Sequence, residues 1–267
     1  MTDLQHLSYS SISMFLDCPE AWQRKYIAKE QTMSSPALAF GSAFHNSVER
    51  FVANKATKTN EDESLLGMWG AEWKAASSDD KNIFWDLDTP EEHYNEGVRL
   101  LSDSVILKGI EQIDPMLYES KEGIVSPMIE QRVELRVPGV PIPIIGFIDV
   151  ILDDGTPADL KTSRAKWSET KASDSLQSLF YLAALNQAGF EINWKFTHFI
   201  FVKTKTPAFQ VIEHSHKPSE LFFLFELIAR VWDGIEKEVF TINPTSWRCN
   251  VKYCDFWGNC RGKALAA

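Results

Sequence analysis

Residues 141–163 read PIPIIGFIDVILDDGTPADLKTS. The apolar run 142–152 ends in Asp153-Asp154-Gly155. Such residues make tight turns, because Gly accepts positive φ and Asp hydrogen-bonds its own backbone. A short run, Ala158-Asp159-Leu160-Lys161, follows, so the stretch predicts a β-hairpin. Asp149 sits in the first strand among residues of buried type, and Asp159 falls nearly across the turn from it. Directly opposed strand residues lie about 5 Å apart, close enough for two carboxylates to share one cation. Asp159 and Lys161 are two apart and face the same way.

Two unpaired neighbouring carboxylates repel, and one takes up a proton unless a cation binds. Mg²⁺ suits them, since it prefers oxygen ligands and keeps several waters. A metal-bound water can attack a phosphodiester, with a nearby lysine stabilising charge. A plain hairpin with a surface salt bridge is the competing reading.

These residues resemble the PD-(D/E)XK nuclease superfamily, within it the branch of the RecB nuclease domain, the Cas4 proteins and phage-encoded relatives. The shared blocks are Gly146-Phe147-Ile148-Asp149, Asp159-Leu160-Lys161 and Gln177-Ser178-Leu179-Phe180-Tyr181, preceded by Gly41-Ser42-Ala43-Phe44-His45. The second acid is Asp rather than the commoner Glu, and no proline precedes Asp149. The resemblance implies an α/β, restriction-endonuclease-like core with a mixed central sheet flanked by helices. It implies Mg²⁺ or Mn²⁺ held by His45, Asp149, Asp159 and the backbone carbonyl of Leu160. Lys161 would assist the attacking water, and Gln177 and Tyr181 would position the substrate. DNA, as single strands or ends, is the implied substrate, cut as by an exonuclease.

The chain has 267 residues and a formal net charge of −10, which argues against a general nucleic-acid binder but leaves room for a local basic groove. No apolar run spans a bilayer. The opening MTDLQHLSYSS lacks a secretory pattern, so a cytoplasmic protein is expected. One domain over 1–267 is expected, with an N-terminal segment 1–36, a helical elaboration 55–124, a catalytic core 125–240 and a Cys-rich tail 241–267.

Helical spacing of Phe40, Phe44, Val48 and Phe51 predicts a helix over 37–53, on which His45 and Glu49 share a face. A lone His on such a helix is usually a half-buried core residue; Glu49 reads as a supporting or alternative acid. Alternation predicts a strand over 126–137, with Ile129, Gln131, Val133 and Leu135 set against Glu130, Arg132 and Glu134. Arg164, Lys166, Trp167 and Lys171 form a basic loop suited to a DNA backbone and a stacked base, or simply to solvent. A helix over 173–188 stops at Gly189 and puts Gln177 and Tyr181 on one face. Strands follow over 194–202 and 209–212, then an amphipathic helix over 218–240.

Of four cysteines, Cys18 stands alone and Cys249, Cys254 and Cys260 cluster in WRCNVKYCDFWGNC. Disulfides are rare in the cytosol, while Zn²⁺ and a [4Fe–4S] cluster both take four thiolates, and spacing does not separate them. The resemblance points to the iron–sulfur cluster, since iron–sulfur members of that branch carry one cysteine before the nuclease motifs and three after. The first terminal gap is longer here than usual for them.

The function expected is metal-dependent DNA hydrolysis in recombination, repair or phage DNA processing. The alternatives are an end-binding scaffold of nuclease fold beside a recombinase or helicase, and a trimming nuclease for DNA integration.

Overall fold

A computed structural model describes residues 4–60, 62–78 and 81–266; the first three residues of the opening segment lie outside them. In chain order the elements are β1 (Leu7–Ser8), α1 (Tyr9–Asp17), α2 (Pro19–Tyr26), α3 (Pro36–Thr57), α4 (Leu65–Ala76), α5 (Pro90–Leu101) and α6 (Ser104–Glu111). There follow β2 (Leu117–Glu119), β3 (Val125–Pro127), β4 (Ile129–Leu135), β5 (Ile144–Ile151), β6 (Pro157–Ser163), α7 (Glu169–Ser173) and α8 (Leu176–Gln187). The chain ends through β7 (Lys195–Val202), β8 (Ala208–Ser215), α9 (Glu220–Glu236) and α10 (Arg261–Ala266).

The fold is α/β, with a mixed central sheet flanked by helices. Its strand order is β1-β5-β6-β7-β8, and β4 also pairs with β5. β1–β5 and β6–β7 run parallel; β5–β6 and β7–β8 run antiparallel. The β5–β6 hairpin forms where the sequence predicts it. Gly155 takes φ +82° in its turn, and the Asp154 side chain accepts the Thr156 N–H at 2.8 Å. The paired rungs are Ile151↔Pro157 and Val150↔Ala158; residues 149 and 159 come next along the two strands, just beyond the last rung.

By its contacts the chain forms two compact units. One comprises Met1–Met33, Glu134–Gly146 and Ser219–Ala267; the other comprises Ser34–Val133 and Phe147–Pro218. In the second, the apolar face of α3 (Phe40, Phe44, Val48 and Val52) packs with Trp69, Leu100, Ile106, Val150, Leu160, Phe199 and Phe201. β7 is therefore a largely apolar run, as a strand covered on both faces should be, while β6 keeps Asp159 and Lys161 among its residues. In the first, Phe15, Trp22 and Phe240 form an aromatic knot with centroids 5.5–6.5 Å apart.

The single strand expected over 126–137 is two. β3 pairs with β2 in a separate two-stranded sheet, while β4 joins the main sheet. The break falls at Pro127, which brings no N–H to a ladder, and Met128, whose N–H bonds the Met116 carbonyl and whose carbonyl accepts the Ile151 N–H.

The second unit's helical part contains a close approach that tolerates no side chain. A Cβ on Gly97 of α5 would sit 2.0 Å from the Trp69 ring. That ring is fully buried, stacks on Trp73 at 5.5 Å and donates its N–H to the Tyr94 carbonyl at 3.1 Å, so it has nowhere to go. Gly97→Ala should cost about 1–3 kcal/mol, as overpacking does. The check is the denaturant midpoint at unchanged slope; a wild-type midpoint would mean that α4 and α5 part freely.

Candidate active site and cysteine cavity

Four elements of the second unit bring the predicted motif residues together. β5 supplies Asp149, β6 supplies Asp159, Leu160 and Lys161, α3 supplies His45 and Glu49, and α8 supplies Gln177 and Tyr181. Asp159 is fully buried; its Oδ1 accepts from Lys161 Nζ at 2.5 Å, and its Oδ2 lies 3.4 Å from His198 Nδ1. Burial alone would raise the Asp159 carboxyl, but Lys161 and His198 outweigh it and hold the group below its ordinary range.

Asp149 differs. Its Oδ2 accepts the Leu160 N–H at 2.6 Å, yet burial and the Asp159 charge push it up to about 7. In an extended strand a residue's N–H and C=O point to the same edge, so the Leu160 carbonyl is turned toward Asp149. Two like acids thus sit in different protonation regimes, as a shared low-dielectric site dictates.

Glu49 is 7% exposed, and its Oε1 is buried without a hydrogen-bond partner. Burial, then Asp149 and Glu130, push its carboxyl up to about 9. One turn earlier, His45 Nε2 is likewise buried and unpartnered. Burial and the Lys161 charge hold that imidazole neutral down to about 4. An unpaired buried polar atom costs about 1–3 kcal/mol. Two of them beside an acid cluster mark a place built to receive something.

Carboxylate oxygens of Glu49, Glu130 and Asp149 lie within 4.8 Å of one another. This trio contains one of the predicted ligands and adds two acids. Glu49 reads from the sequence as a supporting or alternative acid. Glu130 carries no role there, because alternation sends it to solvent; it is indeed exposed, yet its carboxylate reaches Glu49 and Asp149. Its φ of +51° puts a non-Gly residue in the left-handed region, a local strain of a kind that collects at functional sites. The donor set of carboxylate oxygens plus one neutral imidazole fits a hard divalent cation.

On α8, Gln177 Nε2 donates to Tyr181 Oη at 3.0 Å. Tyr181 is buried and stacks on Phe196 at 6.1 Å. Burial and the Asp159 and Asp149 charges raise its phenol, which stays protonated. Of the basic loop, Arg164 and Lys166 are exposed. Trp167 is half-buried: its ring packs against the cluster of Ala172, Ile200, Val202 and Ile212 with Lys171 Nζ 4.2 Å over it, and its backbone N–H donates to Gln210 Oε1.

The first unit holds the cysteines. Cys18 opens α2, while Cys249, Cys254 and Cys260 come from the tail, and all four line one cavity of about 100 Å³ as free thiols. The tail is tied to the N-terminal helices: Asn243 donates to the Asp17 carbonyl and Ser246 Oγ to the Asp17 carboxylate, both at 2.8 Å. Asp255 Oδ1 accepts the Met33 N–H at 3.2 Å. Burial, then the neighbouring thiols, raise Cys254, and Arg261 Nη1 points at Cys249 Sγ from 3.8 Å.

Among solved structures, a protein of Eubacterium rectale described as a "putative exonuclease" superposes with a TM-score of 0.53 at 11% identity, covering 96% of this chain and 88% of that one. At that identity the likeness is one of fold. A second structure, SSO0001, aligns at a TM-score of 0.35 and 16% identity over 94% of this chain and 96% of that one, and carries no weight here. No curated protein matches the chain. The family model of the PD-(D/E)XK nuclease superfamily matches residues 6–261, nearly the whole length, a range within which the motif residues described above fall. With that match laid over a hairpin that carries Asp149 on one strand and Asp159 and Lys161 on the other, the chain belongs to the PD-(D/E)XK nuclease superfamily.

Proposed function

We propose that the protein is a divalent-metal-dependent deoxyribonuclease, acting as an exonuclease on single-stranded DNA or DNA ends. One observation carries this reading: His45 Nε2 and Glu49 Oε1 are buried without partners beside Asp149, Asp159 and Glu130. His45, Asp149, Asp159 and the Leu160 carbonyl would hold Mg²⁺ or Mn²⁺, with Glu49 and Glu130 as further oxygen donors. Bound there, the cation supplies a Lewis acid for the phosphodiester and acidifies water. The chain's own residues do the rest. The Leu160 N–H orients Asp149, and Lys161 holds Asp159 ionised and offers its ammonium to developing charge. The Gln177–Tyr181 pair presents a neutral donor edge to a phosphate.

The test is digestion of end-labelled single- and double-stranded DNA with Mg²⁺, Mn²⁺ or EDTA. Expected are small products released from ends with either metal and none with EDTA. Cleavage in EDTA would overturn the metal site, and cutting of circular single strands would overturn the exonuclease assignment.

The Cas4-like branch and an iron–sulfur role for the cysteines are part of the same proposal. The four thiols fit a Cys₄-ligated group in number, chemistry and shared cavity. Such a group would staple both ends of the chain, since closing so long a loop restrains the unfolded state. Anaerobically purified protein should then be brown and contain about four iron and four sulfide per chain. Cys18→Ser should lose the colour as fully as Cys254→Ser and melt earlier. Colourless protein with one bound zinc would replace the cluster by a zinc site. The pathway we favour is recombination, repair or phage DNA processing in the cytoplasm, beside a helicase or recombinase. Among the described residues no helix is long and apolar enough to cross a membrane.

A further inference from the structure

Resting on the nuclease reading and deepening it, we propose that His198 is a positioning residue that fixes the carboxylate of Asp159. His198 lies on β7, in the run Lys195–Val202 whose other members past Lys195 and Thr197 are Phe, Ile and Val. The β6–β7 register pairs Asp159 directly with His198. Paired residues put their side chains on the same sheet face, so the imidazole stands beside the acid, with Nδ1 3.4 Å from Oδ2. Lys161 holds the other oxygen, Oδ1. Donors on both oxygens fix the plane of the carboxylate and leave lone pairs on each for a cation.

Packing alone does not account for a histidine here. His198 is 1% exposed, and its Nε2 is buried with no hydrogen-bond partner. A phenylalanine would fill the same slot without leaving that nitrogen orphaned, so only the bond to Asp159 repays an imidazole. The ring is also held from several sides. Trp167 lies 5.4 Å from it, Phe196 5.0 Å, and His214 stacks on it at 5.2 Å and 12°.

The support behind His214 is polar. Ser178 Oγ lies 3.1 Å from His214 Nε2 and 2.8 Å from His216 Nε2, and it donates to the Ser175 carbonyl at 2.6 Å. The hydroxyl has a single proton, spent on that carbonyl, so it accepts from both imidazoles, and each carries its proton on Nε2. Ser178 is the residue after Gln177 on α8. The orientation of Asp159 is thereby tied, through His198 and His214, to the helix that bears Gln177 and Tyr181.

The test compares His198→Phe with His198→Asn, whose amide reaches the Nδ1 position, in the full chain. Three quantities are read: melting temperature, Mn²⁺ affinity by calorimetry, and kcat against KM on single-stranded DNA. His198→Phe should melt no lower than wild type, yet lose roughly tenfold or more in Mn²⁺ affinity and kcat, as removal of a ligand's hydrogen-bond partner does, with KM unchanged. His198→Asn should recover most of that loss. Wild-type Mn²⁺ affinity and kcat in the Phe variant, or equal losses in both variants, would overturn the proposal. Should the Phe variant not fold, His198→Val replaces it, and equal Mn²⁺ affinity in the Val and Asn variants overturns it. If wild type cleaves no DNA, the nuclease reading fails by itself, while the Mn²⁺ titration still decides the role of His198.

Discussion

Asp149→Ala is expected to leave a folded protein that no longer cleaves DNA. The carboxylate lies at the junction of the site: it neighbours the Glu49–Glu130 pair, interacts with the Asp159 charge and is oriented by the Leu160 N–H. At the proposed metal site its loss would remove one of the hard oxygen donors grouped with Glu49 and Glu130. The rate should fall by at least about 10²–10³-fold, the range for losing one preorganised electrostatic group. The fold should be spared, because keeping this carboxylate charged is already costly: burial and Asp159 push it up to about 7. Against that relief stands one lost hydrogen bond, worth about 1 kcal/mol. Purified Asp149→Ala with a wild-type melting curve and wild-type cleavage would remove Asp149 from the site. Loss of activity together with loss of the melting transition would make its role structural.

How much of this was readable beforehand follows from what each signal depends on. The hairpin was legible because its turn chemistry is local: Asp154 and Gly155 do in the structure what such residues do in any turn. Register then followed, pairing Val150 with Ala158 one residue short of Asp149 and Asp159. The pairing of Gln177 with Tyr181 is a matter of helical spacing, and it forms. Glu130 was not legible. Alternation assigns it to solvent, where it lies, and only the fold shows that its carboxylate comes within 4.8 Å of Glu49 and Asp149. The two-residue strand β1 was missed for a related reason, since Leu7 and Ser8 are extended through pairing with Ile144 and Ile145. His198 offered a faint signal, a lone imidazole inside an apolar strand. Only the β6–β7 register tells which residue it faces. The even cysteine count pointed to a common site, but only the folded tail shows Cys18 on the same cavity as the other three.

The metal-free protein should lose stability as pH rises from 6.5 to 9, and a divalent cation should restore it. Glu49 is pushed from 4.5 up to about 9, and Asp149 from 3.8 up to about 7. Between those values the folded state keeps protons that the unfolded chain has released, so stability falls with rising pH. His45 acts in the opposite sense, being lowered from 6.5 to about 4, but its contribution is complete once pH passes 6.5. Asp159, held below its ordinary range, contributes fully throughout the window. Above pH 6.5 the two raised acids therefore dominate this site. At 1.36 kcal/mol per pH unit, Glu49 alone costs on the order of 3 kcal/mol by pH 9. For a chain of this size that is a fall in melting temperature of roughly 6–12 °C. Mg²⁺ or Mn²⁺ bound at the proposed site would stabilise the ionised carboxylates and release their protons, so the melting temperature should be flat or rising over the same window. Glu49→Gln isolates the effect, since it keeps the shape and removes the titration. A metal-free wild type that melts at one temperature from pH 6.5 to 9, or a Gln variant with the wild-type slope, would show that Glu49 is already ionised in the fold and that the acid cluster is not held in wait for a cation.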